Sequence, residues 1–180
     1  MKNLISIGLP SKGRLKEASI DFFEKNNLKL TSNGGERNYF ARVNNFPNVK
    51  IIYLHAKEII QRLGDGTLDL GISGLDLLNE SSINLKKKIE IKKKLNFGLA
   101  NLVIAVPDDW IDVQTVADLE EVSFDFRDLK NTRLRVATKY PNLTNYFLVS
   151  KGVTQYKLVP SLGATETYPF IGSSEIITDI

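Results

Sequence analysis

Apolar and polar positions follow one another in a repeated order along this chain. Residues 4–8 (LISIG) make a short apolar run of strand length, and 9–14 (LPSKGR) make a polar turn. Leu15, Ala18 and Phe22 then recur at the spacing of one helix face. The same order returns at 133–149 (RLRVATKYPNLTNYFLV). Leu134, Val136 and Ala137 predict a buried strand, and Lys139, Tyr140, Pro141 and Asn142 break it. Pro141 fixes its own φ and pushes Tyr140 out of helical geometry. A helix restarts at once, with Leu143, Tyr146 and Phe147 predicted on its inward face. Strand, tight turn and helix bring backbone N–H groups and a lysine to one point, which suits an anion. One such unit in each half predicts two lobes.

Between these units the pattern predicts strands at 39–43 and 49–54, joined by a loop over 44–48. A helix over 55–63 is stopped by Gly64, Asp65 and Gly66. A strand over 68–72 ends in Ser73 and Gly74, and Leu75 opens another helix with Asp76 in its first turn. Two extended segments, 89–97 and 102–106, meet near Gly98 and mark the passage between lobes. Residues 107–119 read as a loop with a short helix, and 120–131 as an excursion without a clean period. A strand at 156–159, a short helix over 164–171 and a final strand from 175 complete the pattern. The expectation is an α/β fold with mainly parallel sheets, lobe I over 1–97 and lobe II over 98–180.

Composition narrows the class. The 42% apolar content suffices for packed cores, and no run approaches the roughly 20 residues needed to cross a bilayer. The N-terminus makes a poor signal peptide, so a cytoplasmic protein without a membrane partner is expected. With no cysteine and one histidine, His55, neither a disulfide nor a zinc centre can form. The net charge of +3 is local: 86–94 hold six lysines and one glutamate, +5, leaving −2 elsewhere. That run invites a nucleic-acid reading, but no aromatic side chain is interleaved for stacking. A solvated strand edge kept from mispairing by lysine is favoured, with no nucleic-acid partner.

Chemistry gathers in a few turns. In the first, Ser11 can cap the helix, Gly13 lets the backbone approach a ligand, and Lys12 and Arg14 add charge to the positive helix end. The alternative is a capped helix with solvated cations. In the strand-to-helix turn near residue 74, Ser73, Gly74 and Asp76 stand at a strand's carboxyl end, where ligands gather in open α/β sheets. Asp76 alone is equally explained as a complement to the helix dipole. Arg37 sits in a glycine-rich loop, where a single arginine is usually solvated, and Tyr140 can stack on a purine or plug its lobe. No pair of nucleophile and base is evident, and His55 reads as structural.

Taken together, SKGRL (11–15), DLGISGLDLL (69–78), NFG (96–98), RVATKYPNLTNYF (135–147), GATETYP (163–169) and EIITDI (175–180) resemble the ATP phosphoribosyltransferase family, in order and along essentially the whole chain. The resemblance is to the short form, a catalytic subunit of two lobes like those of type II periplasmic binding proteins, with the ligand cleft between lobes. It implies the first step of histidine biosynthesis. ATP and phosphoribosyl pyrophosphate (PRPP) are joined, with magnesium carried on the substrates and no metal ligands from the protein, and pyrophosphate is released. It also implies a separate regulatory subunit and a homodimer or larger assembly. A ring nitrogen of adenine is the nucleophile, so the protein supplies positioning and charge. Carried over by position, Arg14 and Arg37 are the catalytic arginines that reach substrate phosphates, and Lys12 and Gly13 line that pocket. Ser73, Gly74 and Asp76 face the nucleotide, as do Lys139 and Tyr140 from the second lobe. Glu166 and Asp179 match acidic positions near PRPP.

Three departures qualify the match. Leu99, Ala100 and Asn101 stand where the family usually has a cysteine and a basic residue. The 120–131 segment is longer than the family's linker. The family's phosphate loop is expected directly after Ile180, so the 180 residues are expected to bind ATP weakly and to lack turnover. Two competing readings stay open. One is a two-lobed protein that grips a small anion without chemistry, and the other is an inactive homologue.

Overall fold

The computed structural model describes residues 4–32 and 39–180. The chain divides into two compact units, Met1–Leu99 and Ala100–Ile180, each with its own sheet.

In the first unit, β1 (Ile5–Pro10) is followed by α1 (Arg14–Lys25), β2 (Leu30–Thr31), β3 (Phe40–Val43) and β4 (Phe46–Leu54). Then come α2 (Ala56–Gly64), β5 (Leu70–Gly71), α3 (Leu75–Glu80) and α4 (Ile83–Lys86). The sheet order is β2-β3-β4-β1-β5. β1 pairs in parallel with β4 and β5, while β2, β3 and β4 run antiparallel. β3 and β4 are joined by only Asn44 and Asn45, the latter at φ 69°. Leu9, Phe23, Ala41, Val43 and Ile51 form the core between α1 and the sheet. α2 lies flat on β1 and β5 because glycine leaves room there. A Cβ at Gly71 would stand 2.5 Å from Ile59 Cγ2, and one at Gly8 3.3 Å from Ile59 Cγ1.

The second unit contains β6 (Val103–Ala105), α5 (Val116–Lys130), β7 (Leu134–Thr138), α6 (Pro141–Ser150), β8 (Tyr156–Pro160) and β9 (Ile176–Asp179). Its order is β6-β9-β7-β8; β9, β7 and β8 are mutually parallel and only β6 runs opposite. Leu119, Phe126, Leu134, Val136, Leu148, Val153 and Ile176 make its core. Burying such side chains contributes about 1.5–3 kcal/mol each. No helix among the described residues is long and apolar enough to cross a membrane.

Four expectations are corrected. Residues 120–131 are not an excursion but most of α5. Its start is fixed by a capping box in which Thr115 Oγ1 accepts the Asp118 N–H (3.3 Å) and Asp118 Oδ2 accepts the Thr115 N–H (2.6 Å). Leu119, Ser123 and Phe126 form its buried stripe, and the serine in that stripe hides the apolar period. On α6 the buried positions are Thr144 and Leu148, whereas Tyr146 is 76% exposed. The helix is turned so that a hydroxyl, not an aromatic ring, meets the sheet. Residues 89–97 form no ladder; Phe97 instead packs against Phe22 (ring centroids 6.3 Å), and Lys93 lies over the same ring. The lysines of that run therefore do not lie on a strand edge. Finally, the helix expected over 164–171 is a single 3-10 turn, Thr165–Thr167, which Pro169 keeps from continuing.

A carboxylate clamp ties β5 to β1. Asp69 Oδ2 accepts both the Ser6 N–H and the Ser6 hydroxyl at 2.7 Å. These two bonds, the backbone one first, hold the Asp69 carboxyl below its ordinary value of 3.8. A lowered folded-state pKa gives stability that is complete above the ordinary value and lost as pH falls through the folded one. Asp69→Asn should therefore lower the urea midpoint at neutral pH and flatten its fall below about pH 4. An unchanged acid slope in the variant would show that the clamp is not titrating with folding.

Candidate functional site

Parallel pairing sends the carboxyl ends of β4, β1 and β5 to one edge of the first sheet, and there α2, α1 and α3 begin. Lys12, Gly13 and Arg14 lie at the end of β1, and Ser73, Gly74 and Asp76 at the end of β5. Contrary to the expectation, Ser11 does not cap the first turn. The Ser11 N–H prolongs the ladder to the Leu54 carbonyl (2.8 Å), and Gly13 is the N-cap. Gly13 has φ 74° and ψ −177°, a conformation essentially restricted to glycine, with open space where a side chain would stand. A 12-residue helix thus starts without a side-chain cap and is flanked by Lys12 and Arg14.

The turn at β5 is more enclosed. The Ser73 hydroxyl donates to the Ala56 carbonyl (2.8 Å), tying α3's start to α2. The Asp76 carboxylate folds over Gly74, its Oδ1 only 2.1 Å from where a Cβ would be. Asp76 therefore sits on its own helix terminus, the dipole-complementing arrangement. His55 caps α2: its Nδ1 accepts the Lys57 N–H at 3.3 Å. Arg37 lies outside the described residues.

In the second unit the carboxyl ends of β9, β7 and β8 share an edge in the same way. Lys139 and Tyr140 follow β7, and Tyr140 is the N-cap of α6 with Pro141 at its first position. Asp179 ends β9, and Lys139 Nζ meets its Oδ2 at 3.1 Å. Glu166 is exposed on the 3-10 turn, which packs against β9. Arg135, in the same motif, is not part of this edge. At the amino end of β7 it forms a two-pronged pair with Glu175, whose Oε2 also accepts the Arg135 N–H (2.7 Å).

The sequence reading missed the hydroxyls beneath this edge. Thr138, Thr144 and Thr178 are buried, with Oγ1 atoms 3.1 Å (138 to 144), 2.7 Å (144 to 178) and 2.7 Å (178 to 138) apart. Thr138 Oγ1 also accepts the Tyr140 N–H (2.9 Å), and the Ser161 N–H donates to the Thr138 carbonyl (2.9 Å). A signal existed: Leu134, Val136, Thr138 and Ile176, Thr178 each continue an inward apolar alternation with a hydroxyl.

Among the described residues no three His, Cys, Asp or Glu side chains come together to hold a metal. A concavity of about 550 Å³ lined by Glu24, Asn27, Lys29, Asn44 and Asn45 lies at the carboxyl end of α1, the negative end of that helix and the wrong one for an anion.

Helix amino-termini and cations gathered at strand carboxyl ends define a class: open α/β proteins that receive small ligands at that edge. Comparison with known proteins narrows the class to a family. Residues 55–180 match the family described as HisG, ATP phosphoribosyltransferase. The ATP phosphoribosyltransferase of Rhodopseudomonas palustris (strain BisB18) is 48% identical over 97% of this chain and 54% of its own length. That of Mesorhizobium japonicum is 46% identical over 98% of this chain and 77% of its own. The chain belongs to the ATP phosphoribosyltransferase family. It spans about half the length of the first of these relatives. The solved ATP phosphoribosyl transferase (HisG:HisZ) complex from Thermotoga maritima shares the fold, with a TM-score of 0.61 at 22% identity over 97% of this chain and 73% of that one.

A histidine that only caps a helix is replaceable by a better cap. His55→Asn should keep stability and ATP affinity, since asparagine leads the N-cap ranking, while His55→Ala should cost roughly 0.5–2 kcal/mol of stability. Calorimetric titration and thermal melting check both. Loss of binding in a fully folded His55→Asn protein would make the imidazole a ligand-contacting group.

Proposed function

We propose that this chain carries the catalytic lobes of an ATP phosphoribosyltransferase, joining ATP to PRPP and releasing pyrophosphate in the first step of histidine biosynthesis. The observation that carries this reading is the Lys12–Gly13–Arg14 turn. A backbone conformation open to glycine alone starts a long helix without a side-chain cap and between two cations. Such a terminus suits a polyphosphate.

The reaction needs no protein nucleophile. The adenine ring nitrogen attacks the anomeric carbon of the ribose as the carbon–oxygen bond to pyrophosphate breaks, and negative charge grows on the departing group. Arg14 and Arg37 are assigned to that charge, with Lys12 and Gly13 lining the same pocket. Ser73, Gly74, Asp76, Lys139 and Tyr140 are assigned to the nucleotide, and Glu166 and Asp179 to PRPP. The Lys139–Asp179 pair supports grouping these two residues, since a phosphate can replace the carboxylate at the lysine. Magnesium enters on the substrates' phosphates. The proposal includes two lobes resembling type II periplasmic binding proteins, a cytoplasmic location, a regulatory subunit and assembly into a homodimer or larger unit. The Thermotoga maritima neighbour, solved as a HisG:HisZ complex, supports the regulatory partner.

Ultraviolet absorbance of phosphoribosyl-ATP tests the assignment. In the active enzyme Arg14→Ala and Arg37→Ala should each lower turnover on the order of a hundredfold or more. For Arg14→Ala thermal stability should hardly change, because Arg14 is exposed and even paired surface arginines contribute about 0–1 kcal/mol. Wild-type turnover in either variant would return that arginine to the solvated surface. Salt-sensitive DNA binding through the 86–94 lysines, with no ATP binding, would overturn the reading as a whole.

A further inference from the structure

Thr138, Thr144 and Thr178 are each about 1% exposed, and each sits where valine would fill the same space. Their hydroxyls close a ring. Thr178 donates to Thr138, so Thr138's single hydrogen is left for Thr144 and Thr144's for Thr178. Every donor is used once, and Thr138 Oγ1 takes a further bond from the Tyr140 amide. The three members belong to three elements: Thr138 ends β7, Thr144 lies in the first turns of α6, and Thr178 is Thr138's register partner on β9. Each stands beside a group already assigned to ligand. Thr138 precedes Lys139 and Tyr140, Thr178 precedes Asp179, and Thr144 donates its backbone N–H to the Tyr140 carbonyl (2.9 Å).

We propose that this hydroxyl ring is a positioning device for the substrate-facing edge of the second unit, setting Lys139, Tyr140 and Asp179 relative to one another. The inference rests on the transferase reading, because it concerns residues that reading assigns to ATP and PRPP. An apolar contact at the same place would hold α6 near the sheet without fixing its rise along β7. Hydrogen bonds fix it, because they weaken steeply with distance and angle. The ring thereby keeps the two-residue turn of Lys139 and Tyr140 from drifting by the ångström that costs a site its affinity. None of the three hydroxyls is reached by substrate; they act through their neighbours.

The test is Thr178→Val, a substitution of nearly unchanged volume, with Thr178→Ser as the hydroxyl-retaining control and Lys139→Ala and Asp179→Asn for comparison. ATP and magnesium–PRPP are titrated by calorimetry under conditions where every variant is folded, and amide exchange is followed at Tyr140. Thr178→Val should weaken binding on the order of tenfold to a hundredfold and speed Tyr140 exchange. Thr178→Ser should recover both. A purely structural threonine would lower the melting temperature and leave the affinity of the folded protein unchanged. Wild-type affinity in Thr178→Val, beside weakened binding in Lys139→Ala or Asp179→Asn, would overturn the positioning role and leave the transferase reading standing. Equal losses in the valine and serine variants would also overturn it, by showing that shape rather than the hydroxyl matters. Wild-type affinity in all four variants would remove the site assignment together with the ring's role.

Discussion

Parallel strand pairing is the constraint from which the rest of this molecule follows. Two parallel strands cannot be joined by a hairpin; the chain must cross back over the sheet, and here it does so mostly as helix. Each crossover helix begins where its strand has just ended. In the first unit this places the starts of α1, α2 and α3 at one edge, and in the second it places α6 beside the end of β9. Partial positive charge from helix amino-termini accumulates there without any side chain. Lys12, Arg14 and Lys139 add to it. Antiparallel pairing is confined to the β2-β3-β4 side of the first sheet and to β6 at the edge of the second, where it leaves this arrangement intact.

The two units support their edges by different means. In the first, small residues do the work. Gly8 and Gly71 let α2 lie against the strands, Gly13 takes a backbone conformation closed to other residues, and Gly74 leaves room for the Asp76 carboxylate. In the second, hydrogen bonds do it, through Thr138, Thr144 and Thr178. A buried hydroxyl left without its partner costs roughly 1–3 kcal/mol, so a closed ring is stable and a broken one is not. That asymmetry makes the ring specific for one seating of α6.

Much of this was legible in the sequence, and the failures have physical causes. The short apolar runs at 4–8 and 133–138, the turn chemistry of Gly13 and Pro141, and the strand-helix alternation identified the α/β class and the turns that hold the candidate site. α5 was illegible because Ser123 lies in its buried stripe and its cap is Thr-x-x-Asp rather than a glutamate box. The inward face of α6 was misjudged for a related reason: Thr144 is buried and Tyr146 is not, so hydrophobicity pointed to the wrong side. The lysine run over 86–94 makes no ladder: Lys86 ends α4, and Lys93 lies over the Phe22 ring. The strand alternation marks Thr138 and Thr178 as inward, but no single stretch announces the ring as a whole, because its members lie 6 and 34 residues apart.

The central claim is that ligand is received at the strand carboxyl edges, and one measurement addresses it directly. Backbone amide resonances of the isotopically labelled chain, followed during titration with ATP, report where the nucleotide sits. The account predicts saturable shifts at Lys12–Leu15, at the start of α3 and at Lys139–Tyr140, with the lysines of 86–94 and the Glu24–Asn27 concavity unmoved. Shifts confined to either of those two regions, with the strand carboxyl edges silent, would contradict it.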